Sequence, residues 1–382
     1  MDPAIALLHE LVAINSVNPS LVPGAPGETQ IADAIAIYLR RLGLDVEIQE
    51  AAPGRPNVVG ILEGRARGSS LMFCGHVDTV GVDGMSAPFD PQIRDGRLYG
   101  RGAQDMKGGV AAMIDAARVI AREGLAAGRL IVAAVVDEEY ESLGADALVT
   151  RWRADGAVVT EPTDLQIAIG HKGFAWFEVE TKGKAAHGSR PRDGRDAILR
   201  MGRVLHALEA LDKDLQQRPP HALMGTASLH ASLIDGGREL SSYPDRCVLT
   251  YERRTIPGES DTSVEQELIR ILDDLRLADT EFEASHRRLF SRPCYEIAPE
   301  HELPRALLRA MTEATGSAAP LTGMTFWTDA AVLAASGTPA VLFGPGGAGL
   351  HSVEEYVSVA DVIACRDALA ALARAWQKKR GG

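Results

Sequence analysis

Acids and histidines stand repeatedly where an apolar run of this chain stops, and that placement constrains the fold more than any other feature. They occur at Gly75-His76-Val77-Asp78, Gln104-Asp105-Met106, Asp137-Glu138-Glu139, Thr160-Glu161-Pro162 and Gly349-Leu350-His351. Four of these groups follow segments with strand character: Ser70 to Cys74, Leu130 to Val136, Ala157 to Val159, and Pro339 to Phe343 with its glycine-rich loop. In an open α/β sheet the residues just past the strand ends share one crevice, so groups distant in sequence converge there. Two histidines and three carboxylates then make two cation sites if one carboxylate bridges.

The rest of the chain fits a layered α/β enzyme. Ile31, Ile35, Tyr38, Leu39 and Leu42 recur at helical spacing, with Gly43 as a C-terminal cap, and Gly108 to Glu123 is an alanine-rich helix. With 382 residues, 46% of them hydrophobic, two domains are expected. From about Gly170 to Ala284 the texture changes: strands near Phe174–Thr181, Ala227–Ile234 and Cys247–Arg253 and helices near Asp196–Leu211 and Thr262–Leu275 suggest a small inserted α+β module. The expected division is 1–169 with 285–382, and 170–284. A net charge of −12 argues against nucleic acid or an anionic membrane as partner. The cysteines, Cys74, Cys247, Cys294 and Cys365, are scattered and include no CxxC, which suits a reducing cytoplasm. No export signal is visible, no apolar stretch approaches the ~20 residues of a membrane span, and Lys378-Lys379-Arg380 reads as a solvated tail.

Zinc takes His, Asp and Glu ligands, and a catalytic site leaves a position for water. His76 suits that role, and Asp78 can accept its other ring N–H and so fix the tautomer. A carboxylate at Asp105, flanked by glycines, can bridge two cations. Its loop lacks the Gly-Lys-Ser/Thr ending of a phosphate loop, as does Gly344-Pro345-Gly346-Gly347. Asp137, Glu138 and Glu139 crowd one turn, where one side chain can serve as ligand and another as general base. Each group taken singly also reads as a solvated polar loop; their joint placement sets them apart.

In order, these stretches closely resemble the dizinc metallopeptidase family that includes acetylornithine deacetylase, succinyl-diaminopimelate desuccinylase, aminoacylase and glutamate carboxypeptidase. The matching segments are Leu71 to Val80, Gly100-Arg101-Gly102 through Asp105-Met106-Lys107-Gly108-Gly109, Asp137-Glu138-Glu139, Thr160-Glu161-Pro162-Thr163, and Phe343-Gly344-Pro345-Gly346 leading to His351-Ser352. The resemblance implies a zinc-exopeptidase-like catalytic domain, its central mixed sheet flanked by helices, with an inserted lid and dimerisation domain. It further implies two divalent metal ions, Zn2+ with Co2+ or Mn2+ as substitutes: one on His76 and Glu161, the other on Glu139 and His351, with Asp105 bridging. Asp78 would orient His76, Glu138 would be the general base, and the Asp105-Met106 peptide would be cis.

Within the insert, Gly183-Lys184-Ala185-Ala186-His187-Gly188-Ser189 resembles the stretch whose histidine stabilises the oxyanion, often across a dimer. Read without the resemblance, His187 is an ordinary loop histidine. Arg254 stands where the family grips a substrate carboxylate, with Arg253 as the adjacent rival, because a strand turns only one of the two to a given face. Ser241-Ser242-Tyr243 depart from the asparagine that many relatives carry before the segment Pro244-Asp245-Arg246-Cys247. The expected activity is hydrolysis of an N-acyl amino acid with a free carboxylate by a cytoplasmic homodimer. A dipeptidase or carboxypeptidase, and a non-catalytic carboxylate-binding or scaffold protein, remain as alternatives.

Overall fold

The computed structural model describes residues 1–376; the expected basic tail at Lys378-Lys379-Arg380 lies outside the described residues. The chain divides into two compact units, Met1–Ile169 with Ile297–Thr322 and from Thr328 onward, and Gly170–Glu296 with Gly323–Trp327.

The first unit is built on a mixed sheet. Its strands run in the order Asp45–Ala52, Arg55–Glu63, Arg129–Val135, Ser70–His76, Gly156–Val159, Ala340–Leu342 and Ile167–His171. The four from Arg129–Val135 to Ala340–Leu342 are parallel neighbours. They are almost continuously buried, as expected of parallel strands covered on both faces. The helix Gly108–Glu123 packs against Pro3–Val12 and Val359–Trp376, and the last also packs against Glu302–Thr315. Leu143–Arg151 and Ala330–Ala335 form another pair. Among the described residues no helix is long and apolar enough to cross a membrane.

The second unit is a four-stranded antiparallel sheet in the order Ser228–Gly236, Arg246–Thr255, Gly173–Lys182 and Glu283–Arg292. Alternation along Gly173–Lys182 sends Ala175, Phe177 and Val179 into a core with Val204, Leu208, Leu268 and Leu272 of the helices Ala197–Gln217 and Asp261–Ala278. This unit runs past the expected end at residue 284. The reason is the strand Glu283–Arg292, half exposed, without a fully buried residue and strongly charged, which carries little apolar signal yet pairs along Gly173–Lys182.

Glycine has a specific task where the first unit's helix Gly108–Glu123 meets its sheet. A Cβ on Gly109 would lie 1.9 Å from the carbonyl oxygen of Thr160, so only glycine lets the helix start touch the strand end that leads to Glu161. Gly109→Ala is therefore expected to destabilise this unit by about 1–3 kcal/mol, the usual cost of overpacking. Thermal unfolding of the variant checks this, and a midpoint equal to that of the parent protein would count against the close approach.

Candidate metal centre

The parallel strands deliver the acids and histidines to one edge. His76 ends its own strand, Val135 leads into Asp137-Glu138-Glu139, Val159 leads into Thr160-Glu161, and Leu342 continues through a loop to His351. Asp105 arrives from a short π-helical turn, Ala103–Lys107, just before Gly108–Glu123, and its peptide bond to Met106 is cis.

Asp105 stands between the two histidines. One carboxylate oxygen, Oδ1, is 3.1 Å from His76 Nε2, while Oδ2 is 3.4 Å from His351 Nε2. On the first side, Glu138 and Glu161 oxygens lie 3.8 and 4.0 Å from His76 Nε2. On the second, Glu139 Oε2 is 3.0 Å from His351 Nε2. Single ligand atoms of His76, Asp105 and Glu139, and likewise of His76, Glu138 and Glu161, fall within 4.8 Å of one another. The sides differ in exposure: the side chains of His76 and Glu161 are 1% and 4% exposed, whereas that of His351 is 54% exposed.

Electrostatics shows what this arrangement lacks. Burial, then repulsion from Glu161, pushes the Glu138 carboxyl well above the ordinary range. Burial and the Asp105 charge push Glu139 up to about 7, and burial raises Glu161 as well. Burial acts the same way on Asp105, yet hydrogen bonds with His351 and His76 outweigh it and hold this carboxyl low. The His351 imidazole is lifted to about 10 by its bonds to Asp105 and Glu139. No Lys or Arg side chain among the described residues pairs with these four carboxylates, and Glu161 Oε1 is buried without a hydrogen-bond partner. Closely grouped, mutually repelling carboxylates with an orphaned buried oxygen fit divalent cations, whose charge favours the ionised forms.

The surrounding residues hold this cluster through contacts that no local motif announces. His76 Nδ1 makes its shortest contact, 3.1 Å, with the backbone carbonyl of Asp78, and the Asp78 carboxylate stands 3.6 Å away. That carboxylate accepts from the backbone N–H groups of Glu138 and Glu139 and from the Asn18 side chain. Asp78 thus fastens the acidic turn as well as facing the imidazole. Asp137, expected to crowd Glu138, is instead turned away. It is buried, adopts a left-handed backbone with φ 69°, and accepts from Arg55 and Asn18. Arg55 also pairs with buried Glu28, so the two acids share one counter-charge outside the cluster.

In the second unit, His187 is exposed, and its Nδ1 lies 3.2 Å from the backbone N–H of Ser189 and 2.8 Å from that residue's hydroxyl. Alternation separates the two arginines. Arg253 is buried and tied to Glu259 and Glu267, whereas Arg254 is partly exposed, bonded through Nε to Glu252 at 2.6 Å and set 5.4 Å from the Phe174 ring centroid.

This chain is 34% identical to an acetylornithine deacetylase of Myxococcus xanthus over 96% of each chain. It is 28% identical to an N-formyl-4-amino-5-aminomethyl-2-methylpyrimidine deformylase of Bacillus subtilis, over 89% of this chain and 88% of that one. In fold it is similar to the aminopeptidase PepT of Bacillus cereus, with a TM-score of 0.81 at 20% identity over 99% of both chains. Residues 72–375, most of the sequence, match Peptidase family M20/M25/M40, and the chain belongs to that family: it is a metal-dependent hydrolase.

Proposed function

We propose that this protein removes the acyl group from an N-acyl amino acid, with Glu138 as general base beside two divalent cations. The observation that carries the reading is the cluster itself, in which Asp105 offers one oxygen to each histidine while Glu138 stands close to His76. His76 and Glu161 would hold one cation, Glu139 and His351 the other, and Asp105 both. The nitrogen and oxygen donors suit Zn2+, with Co2+ or Mn2+ as substitutes. Such a pair, when bound, makes water acidic enough to attack at neutral pH and polarises the amide carbonyl.

Glu138 takes the proton from the attacking water and returns it to the departing amine. Its partly buried position beside Glu161 favours a basicity suited to that transfer. His187 is assigned the oxyanion. The Ser189 N–H donates to Nδ1 and leaves the proton on Nε2, the tautomer needed for a hydrogen-bond donor. Arg254 is assigned the substrate carboxylate. Glu252 occupies its Nε, which leaves the two Nη groups for a bidentate partner, and Arg253 is already committed to Glu259 and Glu267.

Acyl removal is favoured over peptide cleavage by the likeness to a deacetylase along nearly the full chain. We further propose that Gly170–Glu296 serves as lid and dimerisation domain. Its edge strand Ser228–Gly236 leaves Leu233 and Ile234 71% and 56% exposed, an apolar strand edge suited to a second copy of this chain. The four unpaired cysteines agree with a cytoplasmic setting.

Glu138→Ala is expected to retain both cations and lose about 10²–10⁴-fold in kcat, the usual contribution of a general base; metal analysis alongside kinetics tests this, and a residual rate near wild type refutes the role. Amine release from acetyl, succinyl and aromatic acyl amino acids should appear with zinc and vanish with chelator, whereas turnover confined to dipeptides would make the enzyme a peptidase. Sedimentation should give a dimer that Leu233→Lys with Ile234→Lys converts to monomer, and a monomeric parent protein would remove the dimer proposal.

A further inference from the structure

We infer that Glu355 is a positioning residue that ties the Asp105 turn to the His351 loop, so that the two cation sites are unequal and the His351 side depends on this one carboxylate. The inference rests on the two-cation reading above and deepens it.

Glu355 is 2% exposed and lies four residues beyond His351. Its Oε1 accepts from the backbone N–H groups of Gln104 and Asp105 at 2.9 and 3.1 Å. Its Oε2 accepts from the Gly102 N–H at 3.0 Å and from Arg101 Nη1 at 2.7 Å. Arg101 then reaches back to the His351 loop, donating from Nη2 to the carbonyl of Ser352 at 3.0 Å. The Glu355 carbonyl in turn accepts from the Gly100 N–H, and Tyr356 pairs with Tyr99 in a small sheet. The backbone that carries Asp105 is thereby fastened to the segment that carries His351.

The first side depends on Glu355 less, through Asp105 alone. His76 and Glu161 follow two neighbouring parallel strands whose ladder pairs Cys74 with Val159, so their separation is set by the sheet. His351, by contrast, has a left-handed backbone with φ 57° in a loop, and its side chain is more than half exposed. Its approach to Asp105 Oδ2 is fixed by whatever holds the two loops, and Glu355 makes most of those bonds. Only a carboxylate satisfies the four donors that converge on Glu355. An amide in its place would point its own N–H groups at two of them, whichever way it is turned.

The test is a titration of metal-free protein with Co2+, followed by visible absorption and calorimetry, for wild type, Glu355→Gln and Arg101→Lys. Wild type should take two equivalents. In Glu355→Gln the first equivalent should bind as in wild type and the second about 10–100-fold more weakly, the range seen when residues bonded to metal ligands are altered. Arg101→Lys keeps the three backbone bonds and should weaken the second equivalent less; it also serves if Glu355→Gln does not fold. Excess Co2+ should restore turnover to Glu355→Gln. Equal weakening of both equivalents would mean a general loosening and would overturn the inference, as would two unchanged equivalents in both variants. A wild type that takes a single cation would instead overturn the two-cation reading itself.

Discussion

Four carboxylates grouped within a few ångströms of one another, Glu161 buried and the other three partly buried, repel, and the architecture of the first unit is organised around keeping them together. Asp105, Glu138, Glu139 and Glu161 share two imidazoles and no guanidinium or ammonium group among the described residues. Burial raises Glu138, Glu139 and Glu161, which is the sign of a pocket short of positive charge. A cluster of this kind is tolerable when cations complete it and when the backbone holding it cannot relax away. The parallel sheet supplies the second condition, since its hydrogen-bond ladder spaces the strand ends independently of the charges they carry.

A surrounding layer then divides two tasks. Arg55 pairs with both Asp137 and Glu28, which turns a fifth acid toward a shared counter-charge and away from the cluster. Asn18 links the Asp78 and Asp137 carboxylates, and Asp78 accepts from the two backbone N–H groups of the Glu138-Glu139 turn. Glu355 plays the corresponding part for the turn of Asp105. In each case an acid that is not in the cluster orients one that is, by accepting from main-chain donors rather than by touching the reacting side chain. Residues of this kind tune ligand geometry without contributing a ligand.

How much of this was legible in the sequence depended on distance along the chain. His76, Glu138, Glu139 and Glu161 could be singled out because each stands just past an apolar strand, and the glycines around Asp105 mark a tight turn. Asn18, Arg55 and Glu355 could not, because their partners lie 60, 82 and about 250 residues away and no local pattern connects them. Asp137 read as one more charge on the turn, since only the φ of 69° and the position of Arg55 show it facing elsewhere. The strand Glu283–Arg292 was missed for a related reason: none of its residues is fully buried, so hydrophobic periodicity is faint and its pairing with Gly173–Lys182 decides its conformation.

The sequence by itself determined the class of fold, the strand ends at which chemistry would gather and the kinds of side chain available there. Those are local properties, encoded in periodicity, glycine placement and residue type. Tertiary structure alone decided which oxygen of Asp105 faces which histidine, which of Arg253 and Arg254 is buried, and which acids act as supports. These depend on the register of parallel strands and on the alternation of side chains across a sheet. Both are set by pairing between segments far apart in the chain, which no window of sequence contains.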